Sequence, residues 1–219
     1  MRRVSSRPIG PSASQGTARI IPKMARGWLG GLLTWAEEAR STGASSTASL
    51  DALFQTSSRV SGANCVVDIS GMIGQYVHGN EPSHHVIYFY PQVGRPERAA
   101  ERIREVFDTQ YHVGPEGLCG NDDCGQMSAW YVFSAMGFYP FDPCGGEYVL
   151  GAPQVPRATL RLADGKTFTV TAKGLSKANK YVKSVTLNGR PVTDWKIRHA
   201  DIARGGELVF EMTAERGSR

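Results

Sequence analysis

The sequence predicts an α+β, multidomain chain in which a helical region is followed by a small antiparallel β unit, with an N-terminal arm ahead of both. Three observations predict it. The segments SHHVIYFYP and MSAWYVFSAMGF are apolar on nearly all sides, as helices enclosed by other helices are. From Glu147 onward the hydrophobic period changes to two. Asp164-Gly165 and Asn188-Gly189 are dipeptides that close tight β-hairpins. The expected organisation is an arm over residues 1–48, a helical region over 49–145 and a β unit over 146–219.

A chain of 219 residues, 41% hydrophobic and 21% charged, is long enough to bury a sizeable core. Its net charge of +5 raises the question of a nucleic-acid partner. Six of the 25 basic residues precede Glu37 with no acid among them, which leaves 19 basic against 20 acidic residues in the remainder. The basicity belongs to the arm, so the folded part has no field to attract phosphate and no nucleic-acid partner is expected.

The arm is rich in Ser, Arg and Gly and ends in STGASSTAS, a stretch with no pattern to bury. Its composition fits an organelle transit peptide, a disordered tail or a mis-assigned start. The apolar run WLGGLLTWA is too short to span a bilayer, and no membrane association is expected. Four cysteines, Cys65, Cys119, Cys124 and Cys144, are too few for a disulfide scaffold. The Cys119/Cys124 pair lacks the second tight pair that a structural zinc site needs.

Within the helical region, PERAAERIREVFDTQY places Ala99, Ala100, Ile103, Val106 and Phe107 on one face, with Pro96 suited to the first turn. That is an amphipathic surface helix. In the β unit, EYVLG, ATLRLADGKTFTV, YVKSVTLNGRPV and GELVFEM read as strands. They carry no paired acids or ligand spacing, so the unit is read as structural.

Two Gly-containing loops carry the candidate chemistry. In GNDDCGQMSAW, one Asp before a helix is expected as a cap, and Asp123 with Gln126 has capping-box spacing. That accounts for one carboxylate and leaves its neighbour, Asp122 or Asp123, in need of a cation or a hydrogen-bonded substrate. In HGNEPSHH, Asn80, Glu81, Ser83, His84 and His85 crowd the start of an apolar run, where polar groups require partners. His84 and His85 point to different sides of a helix, which suits hydrogen bonding better than a shared metal. With Tyr76, Trp130 and Tyr131 nearby, the two loops suit a sugar, whose hydroxyls need acceptors and whose faces stack on rings. Glycosidic cleavage needs two carboxyl groups in opposed roles.

At these residues the chain resembles glycoside hydrolase family 92, the calcium-dependent exo-acting α-mannosidases. The matching stretches are LDALF, DISGMIGQYVHGNEPSHHVIYFYPQVGRP and GLCGNDDCGQMSAWYVFSAMGFYPFDPCGGEYVLGAP, within about Leu50 to Met212. The resemblance implies a part of an (α/α)6 barrel beside a β-sandwich portion. It also implies inverting hydrolysis of terminal α-mannosidic bonds, as in N-glycan catabolism, with Ca2+ holding the mannose. It makes Asp123 the general base, with Asp122 or Asn121 assisting, and places Glu81 against the mannose. His84, His85 and Gln126 would line the site, and Asn80 and Glu81 would hold the metal. Family members usually act outside the cytoplasm, although the arm shows no export signal.

One departure stands beside these matches. The family's general acid lies in a Glu-Gly-Asn-Ala-Trp type segment upstream of LDALF, and here that place holds WAEEARSTGASSTAS. Glu37 and Glu38 are not assigned its role. The expectation is therefore a C-terminal fragment of such an enzyme, or a catalytically inactive remnant that binds carbohydrate.

Overall fold

The computed structural model describes residues 44–59 and 69–217. The arm up to residue 43, Glu37, Glu38 and Cys65 lie outside the described residues. None of the described helices is long and apolar enough to cross a membrane.

Helix α1 spans Ala44–Gln55. It begins inside the stretch read as a patternless linker, because the buried Leu50, Leu53 and Phe54 anchor its far end and the helix runs back from them. A two-stranded hairpin follows, β1 (Met72–Ile73) and β2 (Tyr76–Val77), which the sequence did not announce. It docks on the end of α1, where the Gln75 N–H donates to the Leu53 carbonyl at 2.7 Å.

The apolar SHHVIYFYP segment is not one helix. It forms single 3-10 turns at Glu81–Ser83 and Val86–Tyr88, then the four-residue α2 (Phe89–Gln92). Pro91 has no N–H to donate to the Ile87 carbonyl, so an α-helical ladder cannot run on through the end of the segment. Burial is as the pattern predicts: Ile87, Tyr88, Phe89 and Tyr90 are fully enclosed.

Helix α3 (Pro96–Gln110) has Pro96 in its first turn and buries Ala99, Ala100, Ile103 and Val106. Helix α4 (Gln126–Met136) buries Met127, Trp130 and Ser134 but leaves Tyr131 and Val132 exposed. It ends at Gly137, whose φ of 89° lets the chain reverse. The strands of the β unit therefore begin at Phe138, nine residues before Glu147.

Strands β3 (Phe138–Asp142), β4 (Glu147–Leu150) and β9 (Lys196–Arg198) form a three-stranded antiparallel sheet. The larger sheet contains β5 (Arg157–Arg161), β6 (Thr167–Lys173), β7 (Tyr181–Leu187), β8 (Arg190–Pro191) and β10 (Gly206–Thr213). The short α5 (His199–Ala203) leads into β10. The Asp164-Gly165 and Asn188-Gly189 hairpins form as expected, and positive φ at both Asn188 and Gly189 matches their turn chemistry.

The expectation of a purely antiparallel unit needs correction. Strand order is β5-β6-β10-β7-β8, and β10 lies parallel to β6, with Leu208 opposite Val170. Arriving last, β10 fills the slot between two hairpins and buries Leu208 and Phe210 at the sheet centre. Phe133 packs against both this core and the helical one, joining them.

A β-carbon on Gly137 would lie 3.0 Å from Phe210 Cζ and 3.1 Å from Pro153 Cδ, besides straining the backbone. Gly137→Ala should therefore lower unfolding free energy by about 1–3 kcal/mol in urea titrations. A variant as stable as its parent would contradict this turn.

Candidate functional site

Two loops meet at the end of α4. The first runs from Ser70 through the β1–β2 hairpin to Glu81, and is pinned by the His78 N–H on the Gly71 carbonyl at 2.9 Å. The second runs from Tyr111 to Gly125, closed at its base by a Tyr111–Leu118 bridge. They touch at their glycines: a β-carbon on Gly120 would sit 3.8 Å from Gly79 Cα. Glu81 lies two residues beyond one contact, and Asp123 three residues beyond the other.

The two aspartates have different surroundings. Asp122 Oδ1 accepts hydrogen bonds from both the backbone N–H and the hydroxyl of Ser128, each at 2.9 Å, and so caps the first turn of α4. The capping-box reading of Asp123 is corrected accordingly: the N-cap position is Gly125 and carries no side-chain cap. Asp123 and Cys124 adopt φ of 47° and 58°, followed by Gly125 at 89°. Two non-glycine residues in this left-handed region store strain of a kind that collects at functional positions. The strained run turns the chain so that Asp122 reaches back to the helix while Asp123, half-buried, keeps a carboxylate free of that duty.

Behind the loops stands a buried polar frame. Tyr111 donates its hydroxyl to the Met127 carbonyl at 2.9 Å, so it accepts from His78 Nε2 at 2.7 Å. His78 Nδ1 is then an acceptor for the Tyr76 hydroxyl at 2.8 Å. His84 Nε2–H donates to the His78 carbonyl at 2.8 Å, which leaves Nδ1 to accept from Gln126 Nε2 at 3.1 Å. The second amide hydrogen of Gln126 goes to the Tyr139 hydroxyl at 3.1 Å. Both donors of Gln126 are thus used, and its carbonyl oxygen is what remains for a ligand hydroxyl.

Burial pushes the His84 imidazole down in pKa, against an upward pull from its bond to the His78 carbonyl and from the carboxylates of Glu81 and Asp123. His85 turns elsewhere, with its ring edge-on to Phe89 and Phe141. Asn80, Asn121 and Asp122 are exposed along the loop rims.

The expected aromatic rim is only partly present. Tyr76 and Trp130 are 1% and 0% exposed, and they brace the frame instead, Trp130 through Nε1–H to the His84 carbonyl at 3.0 Å. Exposed Tyr131 stacks on Phe107, along an open groove of about 510 Å³ next to Ser128. Sequence reasoning also gave no role to Tyr111 or Tyr139. Their hydroxyls complete the frame, but nothing in their local pattern marks them.

Burial drives His78 down to about 3 and His85 down to about 4. Both stay neutral in the fold while the unfolded chain takes up protons below pH 6.5. Their contribution is complete above that value and declines as pH falls toward 4. Unfolding free energy from urea titrations should therefore drop between pH 7.5 and 5, by about 2–4 kcal/mol for the pair. A value that held steady to pH 5 would place these rings in contact with water.

The sequence model of the glycosyl hydrolase family 92 catalytic domain matches residues 40–214. The chain belongs to glycosyl hydrolase family 92. Among solved structures, it is similar to a family 92 α-mannosidase of Bacteroides thetaiotaomicron in complex with mannoimidazole. That match has a TM-score of 0.74 and 38% identity, over 83% of this chain and 24% of that one. A family 92 inverting mannosidase of the same organism matches with a TM-score of 0.64 and 36% identity, over 77% of this chain and 24% of that one. An uncharacterised secreted glycosidase of Arthroderma benhamiae is 32% identical over 143 residues, which is 64% of this chain and 18% of that protein. This family 92 chain thus spans about a quarter or less of the length of these relatives.

Calcium takes about six to eight oxygen ligands. The Asn80 amide and the Glu81 carboxylate are of the right hard-oxygen type and adjoin each other. Among the described residues no group of three or more His, Cys, Asp or Glu is assembled for a metal. The pair therefore fits calcium by chemistry and supplies part of a coordination shell, the kind that water or sugar hydroxyls complete.

Proposed function

We propose that this chain carries the water-activating side of a site that hydrolyses terminal α-mannosidic bonds, such as those of N-glycans, with inversion. The observation that carries the reading is the division of labour between neighbouring acids. Asp122 is held at Ser128, whereas Asp123 sits half-buried on strained backbone, with no such bond to the helix, in the loop that touches the Glu81 loop at Gly79 and Gly120. Likeness to two mannosidases, one bound to mannoimidazole, supports mannose as the sugar.

In this reading Asp123 takes the proton from the attacking water. Asp122 positions it by fixing the start of α4. Glu81 accepts from mannose hydroxyls at the cleavage point, and the Gln126 carbonyl and Asn121 accept from others. His84 acts through Gln126, and His85 lies one residue further on, against Phe89 and Phe141. Asn80 and Glu81 would hold calcium, which when bound supplies positive charge against the sugar's hydroxyls and favours a distorted ring. The helices belong to a section of an (α/α)6 barrel.

A second reading is binding without cleavage, because the polar groups of these loops can hold a sugar whether or not a proton donor faces them. One experiment separates the two. A dinitrophenyl α-mannoside has a leaving group that departs without protonation, so it needs the base but no acid. The purified chain should release β-mannose from it while leaving an α-mannobiose intact, as read by proton NMR. Binding of mannoimidazole with no turnover of either substrate would establish the second reading. No binding and no turnover would reject both.

A further inference from the structure

The two acidic loops share a short pattern, Gly79-Asn80-Glu81 in one and Gly120-Asn121-Asp122 in the other. Neither Gly79 nor Gly120 has a positive φ, so the demand for glycine is one of space. The same side chain occupies that space in both cases. A β-carbon on Gly79 would overlap Ser70 Oγ, and one on Gly120 would lie 2.5 Å from the same oxygen.

Ser70 is itself fixed. Its carbonyl accepts the Gly79 N–H at 3.2 Å, and the next residue, Gly71, leaves no room for a β-carbon, which would sit 2.5 Å from Cys119 Sγ and 2.9 Å from Gln110 Oε1. The serine hydroxyl is therefore a spacer between two loops whose glycines have been hollowed to receive it.

We propose that Ser70 is a positioning residue whose hydroxyl, seated between Gly79 and Gly120, sets the separation of the Glu81 loop from the Asp123 loop. Any change in the spacing of Gly79 and Gly120 changes the contact of at least one of them with this side chain. The distance between the groups they carry decides whether a water fits beside a bound sugar. The assignment of those groups to one sugar site rests on the function proposed above, whereas the spacing itself is testable without sugar.

Cys119, half-buried beside Gly120 and against Gly71, is a built-in reporter of loop separation. The full chain and its Ser70→Gly, Ser70→Thr, Gly120→Ala and Gly120→Ala/Ser70→Gly variants would be pulsed with N-ethylmaleimide. Labelling of the Cys119 peptide is then followed by mass spectrometry, beside melting temperature and mannoimidazole affinity. Gly120→Ala should speed Cys119 labelling by roughly tenfold, as local opening does, and Ser70→Gly in the same chain should restore the parent rate. Ser70→Thr, which overfills the space, should speed Cys119 labelling and weaken mannoimidazole binding by roughly tenfold.

A double variant that labels as fast as Gly120→Ala would overturn the proposal. If Gly120→Ala does not fold, the Ser70 variants decide: unchanged Cys119 labelling in both Ser70→Gly and Ser70→Thr would overturn it equally. Failure of the parent chain to bind mannoimidazole would count against the sugar site, while the labelling comparison would still judge Ser70.

Discussion

Replacing Trp130 with alanine should cost about 3–5 kcal/mol of unfolding free energy and loosen both acidic loops together. The indole is wholly buried, edge-on to His78 at 4.5 Å and parallel to Tyr111 at 6.1 Å between ring centres. Alanine leaves a cavity bordered by His78, a ring whose neutral form depends on staying dry. It also strips the His84 carbonyl of the indole N–H, 3.0 Å away. Trp130→Phe separates the two effects, since it keeps most of the ring and loses the N–H, and it should cost about 1–3 kcal/mol. Urea unfolding of the three proteins checks both values. A loss below 1 kcal/mol for alanine would mean that the frame behind the loops is not packed around this side chain. Because His84 orients Gln126, both variants should weaken mannoimidazole binding more than a distant core variant of equal stability loss does.

Much of this fold could be read from local pattern, and the parts that could not share a cause. Helix α3 declared itself through Pro96 and the spacing of Ala99, Ile103 and Val106, because a surface helix writes its buried stripe into the chain. The hairpins at Asp164-Gly165 and Asn188-Gly189 were equally plain, since positive φ restricts the residues a turn accepts. The parallel pairing of β10 with β6 left no such trace, as it is decided by the vacancy between two finished hairpins and not by anything within GELVFEM.

The site shows the same division. GNDDCGQMSAW and HGNEPSHH marked both loops and the family. Spacing then misassigned the cap, because a capping rule supposes ordinary backbone between Asp123 and Gln126. Asp123 and the two residues after it are all left-handed, and the role passes to Asp122. Ser70 reads like any serine, because its fit against Gly79 and Gly120 is a contact between distant residues that local pattern does not record.

Those different environments make neighbouring aspartates separable by mutation. Asp123→Asn should reduce hydrolysis of the dinitrophenyl mannoside by about 10²–10⁴-fold, the usual contribution of a general base. The amide matches the carboxylate in shape and Asn tolerates φ of 47°, so unfolding free energy should hardly change. Asp122→Ala should do the reverse, costing about 1 kcal/mol through the lost cap and depressing turnover only as far as α4 shifts. Asp123→Gly adds a chemical test. Glycine accepts the left-handed conformation without strain and empties the base position, so azide can attack in place of activated water. Turnover should then recover with azide concentration and yield β-mannosyl azide, whose configuration reports the face of attack. If Asp123→Asn retained parental turnover, the base would have to be sought elsewhere. If azide gave no product while mannoimidazole still bound, Asp123 would be a sugar ligand and not the group that activates water.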